Sequence, residues 1–130
     1  MQQILIHEII VSVTNCFIEA KIPFCVAGGI AVSLWGHIRA TEDDGLLATN
    51  DFLKQCIQNS KIFTLSGISI PVICIEDLIV MKCASGRHQD IADIQSLLAA
   101  SLPVDKSYIN SQIQKLNIAI PEEVKALIWQ

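Results

Sequence analysis

The first twenty residues show the periodicity of an amphipathic helix. Apolar positions recur every three or four residues, and the two glutamates, Glu8 and Glu19, fall outside them. Pro23 follows and ends the helix predicted over residues 3–20. The predicted apolar face comprises Ile6, Ile9, Ile10, Val13, Phe17 and Ala20.

Short apolar runs separated by turn residues predict strands in the middle of the chain. Phe24 to Ala27 is wholly apolar, which is typical of a buried strand, and Gly28-Gly29 interrupts it. Ile62–Leu65 and Ile68–Ile75 are joined by Ser66-Gly67, which predicts a hairpin. The other elements predicted in this part are a helix over 30–35, a strand over 46–48 and a helix over 51–59.

The rest of the chain carries helical periodicity. Helices are predicted over 76–84 and 88–100, from Pro103-Asp105 onward and from Pro121 onward, with Gly86 between the first two. The sequence therefore predicts an α+β fold with a small mixed sheet flanked by helices and a helical C-terminal part. We expect one domain over residues 1–130, in which 1–100 supply the sheet and its flanking helices and 101–130 the C-terminal helices.

Composition excludes several classes of protein. The 130 residues are 52% apolar and 17% charged, against about 25% charged in typical domains, which excludes a disordered chain. A net charge of −4 argues against nucleic-acid binding by bulk charge, so RNA as a partner gains no support from charge. A mean hydropathy of +0.48 suggests that some apolar surface meets another chain, in a homodimer or with a partner protein.

The hydropathy pattern and the placement of the cysteines predict a cytoplasmic protein. The longest uncharged run, between Lys21 and Arg39, is too short and too interrupted for a membrane span, and residues 1–13 lack the basic residue of a signal peptide. The five cysteines are widely spaced, odd in number and set in apolar stretches, which predicts buried thiols in a reducing compartment.

Three segments contain residues that could bind a ligand or take part in catalysis. Gly28-Gly29, between a strand and a helix, would let a phosphate approach the backbone, although such pairs are often simple turns. The run 39–45, RATEDDG, has three acids that suit a divalent metal or a solvated turn. Because side chains alternate along a strand, either Glu42 and Asp44 share a face or Asp43 stands alone on the other.

The third segment runs from Glu76 to Asp93. Lys82 and Arg87 could balance phosphate charge, and Asp90 and Asp93 share one face near a helix start. The alternative is a structural role, in which the acids cap the helix and pair with Arg87.

In their order and spacing, these pieces resemble the nucleotidyltransferase superfamily, in particular small bacterial proteins related to AbiEii-type toxins. The resemblance covers residues 22–116. It rests on FCVAGGIAV at 24–32, RATEDDGLL at 39–47, the stretch 76–93, LPVD at 102–105 and the pair Tyr108-Ile109.

The resemblance implies a nucleotidyltransferase-like fold and Mg²⁺-dependent transfer of a nucleoside monophosphate from a nucleoside triphosphate. By the resemblance, Asp43 matches the first acid of the motif and would be the main magnesium ligand, with Asp44 or Glu42 as an auxiliary. Asp43 and Asp44 are therefore the predicted catalytic and metal-binding residues. The resemblance further assigns nucleotide contacts to Gly28, Gly29, Arg39, Thr41, Lys82 and Arg87.

The chain departs from the family pattern at its acids. Gly45 stands where the second acid belongs, Asp44 takes a position that normally faces away, and no acid occurs between Asp51 and Glu76. A slip of one residue would bring Glu42 and Asp44 to the site face. The expectation is therefore either an enzyme with an incomplete site or a non-catalytic subunit that binds a nucleotide or a protein, as in a toxin–antitoxin system.

Overall fold

The chain folds as an α+β protein, as its sequence predicts. The computed structural model describes residues 2–27, 31, 51–65, 67–100 and 102–128, and the side chains of all but 2–7 and 65. Its described helices are α1 Gln2–Ala20, α2 Asp51–Gln58, α3 Ile75–Ser85, α4 His88–Ala99, α5 Lys106–Lys115 and α6 Glu122–Ile128, and its strands are β1 Lys61–Leu65 and β2 Ile68–Val72.

The described residues fall into two compact units that meet along the chain between Cys74 and Ile75. The first contains α1, α2 and the two strands. The second is entirely helical and contains α3 to α6.

The strands of the first unit form the predicted hairpin. β1 pairs antiparallel with β2, from Lys61 opposite Val72 to Leu65 opposite Ile68. Gly67 in the turn has φ +75°, a conformation that favours glycine because it has no Cβ. Ile70 and Val72 are fully buried, so one face of β2 belongs to the core.

The predicted strand at Phe24–Ala27 is confirmed as a short, buried, extended segment. Val26 donates its N–H to the carbonyl of Pro71 at 2.8 Å, and Ile73 donates to the carbonyl of Val26 at 2.8 Å. These bonds place Val26 parallel to Val72. The described sheet is the two-stranded antiparallel pair of β1 and β2 rather than the mixed sheet predicted, and Val26 adds one isolated parallel bridge to it.

Helix α1 agrees with the predicted helix in its bounds but not in its buried face. Ile10 and Thr14 are buried, and the ring of Phe17 lies 5.1 Å from that of Phe24. Ile9 and Val13, predicted to belong to the same face, remain 44% and 43% exposed. Apolar residues surround most of α1, so tertiary packing rather than periodicity decides which side is buried.

The second unit is built around α3, whose buried residues include Leu78, Ile79 and Val80. α3 contacts both α4 and α5, and α6 contacts α4 and α5. Gly86 ends α3 at φ +65° and donates its N–H to the carbonyl of Lys82 at 3.0 Å. Only Gly86 and Arg87 separate α3 from α4.

The predicted burial of the cysteines is confirmed for four of the five thiols and wrong for Cys16, which is exposed on α1. None of the five forms a disulfide. Burial raises the pKa of Cys83 to about 11, so that thiol stays protonated at neutral pH. None of the described helices is long and apolar enough to cross a membrane.

Candidate functional site

The residues predicted for the site divide between two parts of the chain. Lys82 and Arg87 lie at the α3–α4 junction, with Asp90 and Asp93 on α4. The predicted strand over 46–48 and most of the predicted helix over 30–35 lie outside the described residues, as do Gly28, Gly29, Arg39, Thr41, Glu42, Asp43, Asp44 and Gly45.

Lys82 is buried on α3 and faces two carboxylates of α4. Its Nζ lies 3.2 Å from Oδ1 of Asp90 and 2.9 Å from Oδ2 of Asp93. The Lys82 side chain is 7% exposed and each aspartate side chain 2% exposed. Because the two-residue junction folds α4 back along α3, and because Asp90 and Asp93 are one helical turn apart, both carboxylates reach the same ammonium group.

Asp90 also fixes the start of α4. Its Oδ2 accepts hydrogen bonds from the backbone N–H of Arg87 at 3.3 Å and from Arg87 Nε at 2.8 Å. Arg87 Nη2 approaches Oδ1 at 3.5 Å. An acid at this position satisfies an N–H group that the helix itself leaves unpaired. We call Lys82, Arg87, Asp90 and Asp93 the buried ion cluster, although the Arg87 side chain itself is 65% exposed.

The pKa of Asp90 reflects two opposing effects. Burial of the carboxyl alone would raise its pKa, but hydrogen bonds and positive charge from Arg87 and Lys82 outweigh burial. The pKa of Asp90 therefore lies below its ordinary value of 3.8.

We expect this shift to make the protein less stable in acid. A carboxyl whose pKa is lower in the folded state stabilises the fold above its ordinary pKa, and that contribution is lost as the pH falls through the folded-state pKa. Urea unfolding of the wild type should show a free energy that declines below about pH 4. Asp90→Asn should decline less over this range; an equal decline in both proteins would contradict the assignment.

The buried ion cluster suits structural bracing better than ligand binding. Its two cations and two carboxylates balance, so the cluster offers no excess charge to a phosphate group or to a metal. No group of three or more potential metal ligands occurs among the residues that the structure describes. Lys82 directs its ammonium at Asp90 and Asp93, whereas the Arg87 side chain is mostly exposed to solvent while it contacts Asp90. The predicted nucleotide contacts of Lys82 and Arg87 stay predictions.

A second polar link, which the sequence did not predict, joins the first turns of α3 and α5. Tyr108 donates its hydroxyl hydrogen to Oδ1 of the fully buried Asp77 at 2.6 Å. Glu76 Oε2 accepts the backbone N–H of Asp105 at 2.9 Å, and Asp105 Oδ1 accepts that of Tyr108 at 3.0 Å. Asp105 as the N-cap of α5 was visible in the sequence as an acid directly before a helix. The Asp77–Tyr108 pair spans 31 positions and left no local signal.

Comparison with known proteins adds no assignment for this site, since neither a protein-family model nor a curated protein matches the chain. The functional argument thus rests on the chain's own motifs and on the contacts described above. The stretch that carries the third motif, Glu76 to Asp93, folds as the α3–α4 pair braced by the buried ion cluster.

Proposed function

We propose that the protein is a nucleotidyltransferase-type nucleotide-binding protein with an incomplete catalytic site. It binds a nucleoside triphosphate together with Mg²⁺. The Gly28-Gly29 turn receives the phosphates, and Asp43 is the principal metal ligand with Asp44 as an auxiliary. Arg39 and Thr41 belong to the same motif and contact the nucleotide.

The observation that carries the proposal is the segment that leads into Gly28-Gly29. Phe24 to Ala27 is buried and extended, with Val26 parallel to β2, and Ala31 beyond the glycines is helical. A buried strand followed by glycines and a helix is a setting in which backbone N–H groups can face a phosphate. The motif RATEDDG then follows at 39–45, in the order that the resemblance requires.

The second supporting feature is the α3–α4 pair. The glutamate, lysine, arginine and two aspartates that the resemblance depends on in this stretch take part in specific contacts rather than being scattered over the surface. In this arrangement Lys82 braces the helices, and Arg87 is the cation of the pair that remains open to solvent.

A non-catalytic role is the second candidate, and the acids favour it. Gly45 stands in place of the second carboxylate of the motif. Residues 52–75 contain no aspartate or glutamate, so they supply no third carboxylate. Loss of a metal-bridging carboxylate removes part of the transition-state stabilisation by the metal, which is worth several kcal/mol. In this version the chain holds a nucleotide without turnover, as a subunit of a toxin–antitoxin-type pair or of a homodimer.

The catalytic and the non-catalytic proposals both require that the chain bind a nucleotide, and thermal unfolding in the presence of nucleotide tests this. A nucleoside triphosphate present with Mg²⁺ at one hundred times its Kd should raise the free energy of unfolding by about 2.7 kcal/mol, because it binds only the folded chain. The same nucleotide should stabilise Asp43→Asn much less, since the variant lacks the negative charge that holds the metal. If none of the four common nucleoside triphosphates stabilises the wild type, the proposal is wrong.

A further inference from the structure

A half-open cavity of about 550 Å³ lies at the surface of the helical unit, and none of the four residues of the buried ion cluster lines it. Leu98 of α4, the connecting residues Leu102 and Val104, Lys106 at the start of α5 and Leu127 of α6 line it. Its volume falls in the range of pockets that hold small organic molecules, and its lining is mainly apolar with few polar groups, as such pockets generally are.

Helix α4 exposes this apolar surface because it carries two adjacent stripes. Ile94 and Leu97 are buried in the core of the unit. Gln95, Leu98 and Ala99 form the neighbouring stripe, at the i, i+3 and i+4 positions that share a helix face, and they line the cavity instead. Leu98 is only half-buried. The second stripe thus leaves hydrocarbon surface facing the cavity.

Lys106 is the only charged residue among the described residues that line the cavity. Among the described residues, no carboxylate lies within 4.0 Å of its ammonium group, whereas Lys82 and Lys125 both have such partners. The neighbouring Asp105 already accepts a hydrogen bond from the backbone N–H of Tyr108. The lining therefore combines hydrocarbon side chains with one cation that has no counter-ion in the described part of the chain.

We propose that this cavity binds a small monocarboxylate with a hydrocarbon chain. Its carboxylate pairs with Lys106, and its chain lies against Leu98, Leu102 and Leu127. A positive group beside an apolar lining complements a molecule that is negative at one end and apolar along its length. The proposal concerns residues 95–127 and is independent of the nucleotide proposed for the Gly28-Gly29 turn.

Calorimetric titration of the full-length chain with octanoate below its micellar concentration tests the proposal. One molecule should bind per chain. Each buried methylene strengthens binding by about fourfold, so butyrate should bind at least tenfold more weakly than octanoate. Octylamine has the same chain with the opposite charge and should not saturate the site.

A pair of lysine variants locates the carboxylate. Lys106→Met keeps the aliphatic stem and removes the charge, and it should weaken octanoate binding at least tenfold. Lys115→Met makes the same change at the other end of α5, outside the cavity, and should bind octanoate like the wild type. Equal binding of octanoate and octylamine by the wild type, equal loss in both variants, or no saturable octanoate binding would each overturn the proposal.

Discussion

Lys82→Met is expected to lower the free energy of unfolding by about 3–5 kcal/mol. The substitution removes the ammonium group that lies 3.2 Å from Asp90 and 2.9 Å from Asp93 and keeps most of the apolar stem. Both carboxylates are almost fully buried, so they cannot regain water when their partner is lost. Asp90 retains its contacts with Arg87 in this variant. Urea unfolding at neutral pH measures the change.

Two further variants separate the ion pair from a general effect of losing a lysine. Lys115→Met on the exposed side of α5 should change stability by no more than about 0.5 kcal/mol. Combining Lys82→Met with Asp93→Asn should cost less than the sum of the single changes, because the neutral amide no longer needs the ammonium. A Lys82→Met protein within 1 kcal/mol of the wild type would show that the buried ion cluster does not brace α3 against α4.

The outcome also bears on the predicted nucleotide contact of Lys82. If Lys82→Met destabilises the fold but still gains stability from nucleotide as the wild type does, its role is to hold α3 and α4 together. If nucleotide no longer stabilises a folded Lys82→Met protein, the ammonium serves the ligand as well. Comparing stability with nucleotide-dependent stabilisation in one variant therefore distinguishes bracing from binding.

Gly45→Asp is expected to raise Mg²⁺-dependent nucleotidyl transfer by about a hundredfold or more. The substitution restores a carboxylate two positions after Asp43, on the same face of the strand that the family resemblance implies for residues 39–45. Recovering about half of a metal-bridging stabilisation of several kcal/mol corresponds to two powers of ten in rate. Pyrophosphate release from a nucleoside triphosphate measures the gain.

The matched control for that gain is Gly45→Asn, which has nearly the same size and shape but no negative charge. It should stay at the wild-type rate, and adding Asp43→Ala to Gly45→Asp should abolish the gain. Equal rates for the aspartate and asparagine variants would show that the position does not complete a metal site.

Local signals predicted much of the fold. Pro23 follows α1, Gly67 forms the hairpin turn, and Gly86 separates α3 from α4, and each acts through its own backbone geometry. The periodicity of α4 predicts one apolar stripe of Ile91, Ile94, Leu97 and Leu98; Ile94 and Leu97 are buried, whereas Ile91 and Leu98 are only half-buried. The prediction that Ile9 and Val13 are buried was wrong because burial on α1 depends on tertiary packing and not on a local signal. Apolar residues surround α1, so the sequence alone does not determine which of them pack on the sheet.

The side-chain contacts of the site were less predictable. The sequence indicated that Asp90 could pair with Arg87 three positions away, and it does. The pairing of Lys82 with both aspartates depends on the close return of α4 along α3, which follows from the two-residue junction and is not encoded at any one position. The bond between Asp77 and Tyr108 joins two helices that are distant in sequence, so only tertiary packing brings them together.

Calorimetric titration of each of the four nucleoside triphosphates, with and without Mg²⁺, tests the central claim most directly. The wild-type chain should bind at least one of them at a single site in the presence of Mg²⁺ and much more weakly without it. Gly45→Asp should bind the same nucleotide more tightly, because the added carboxylate helps to hold the metal. Absence of binding in both proteins, with and without the metal, would contradict the nucleotide-binding assignment.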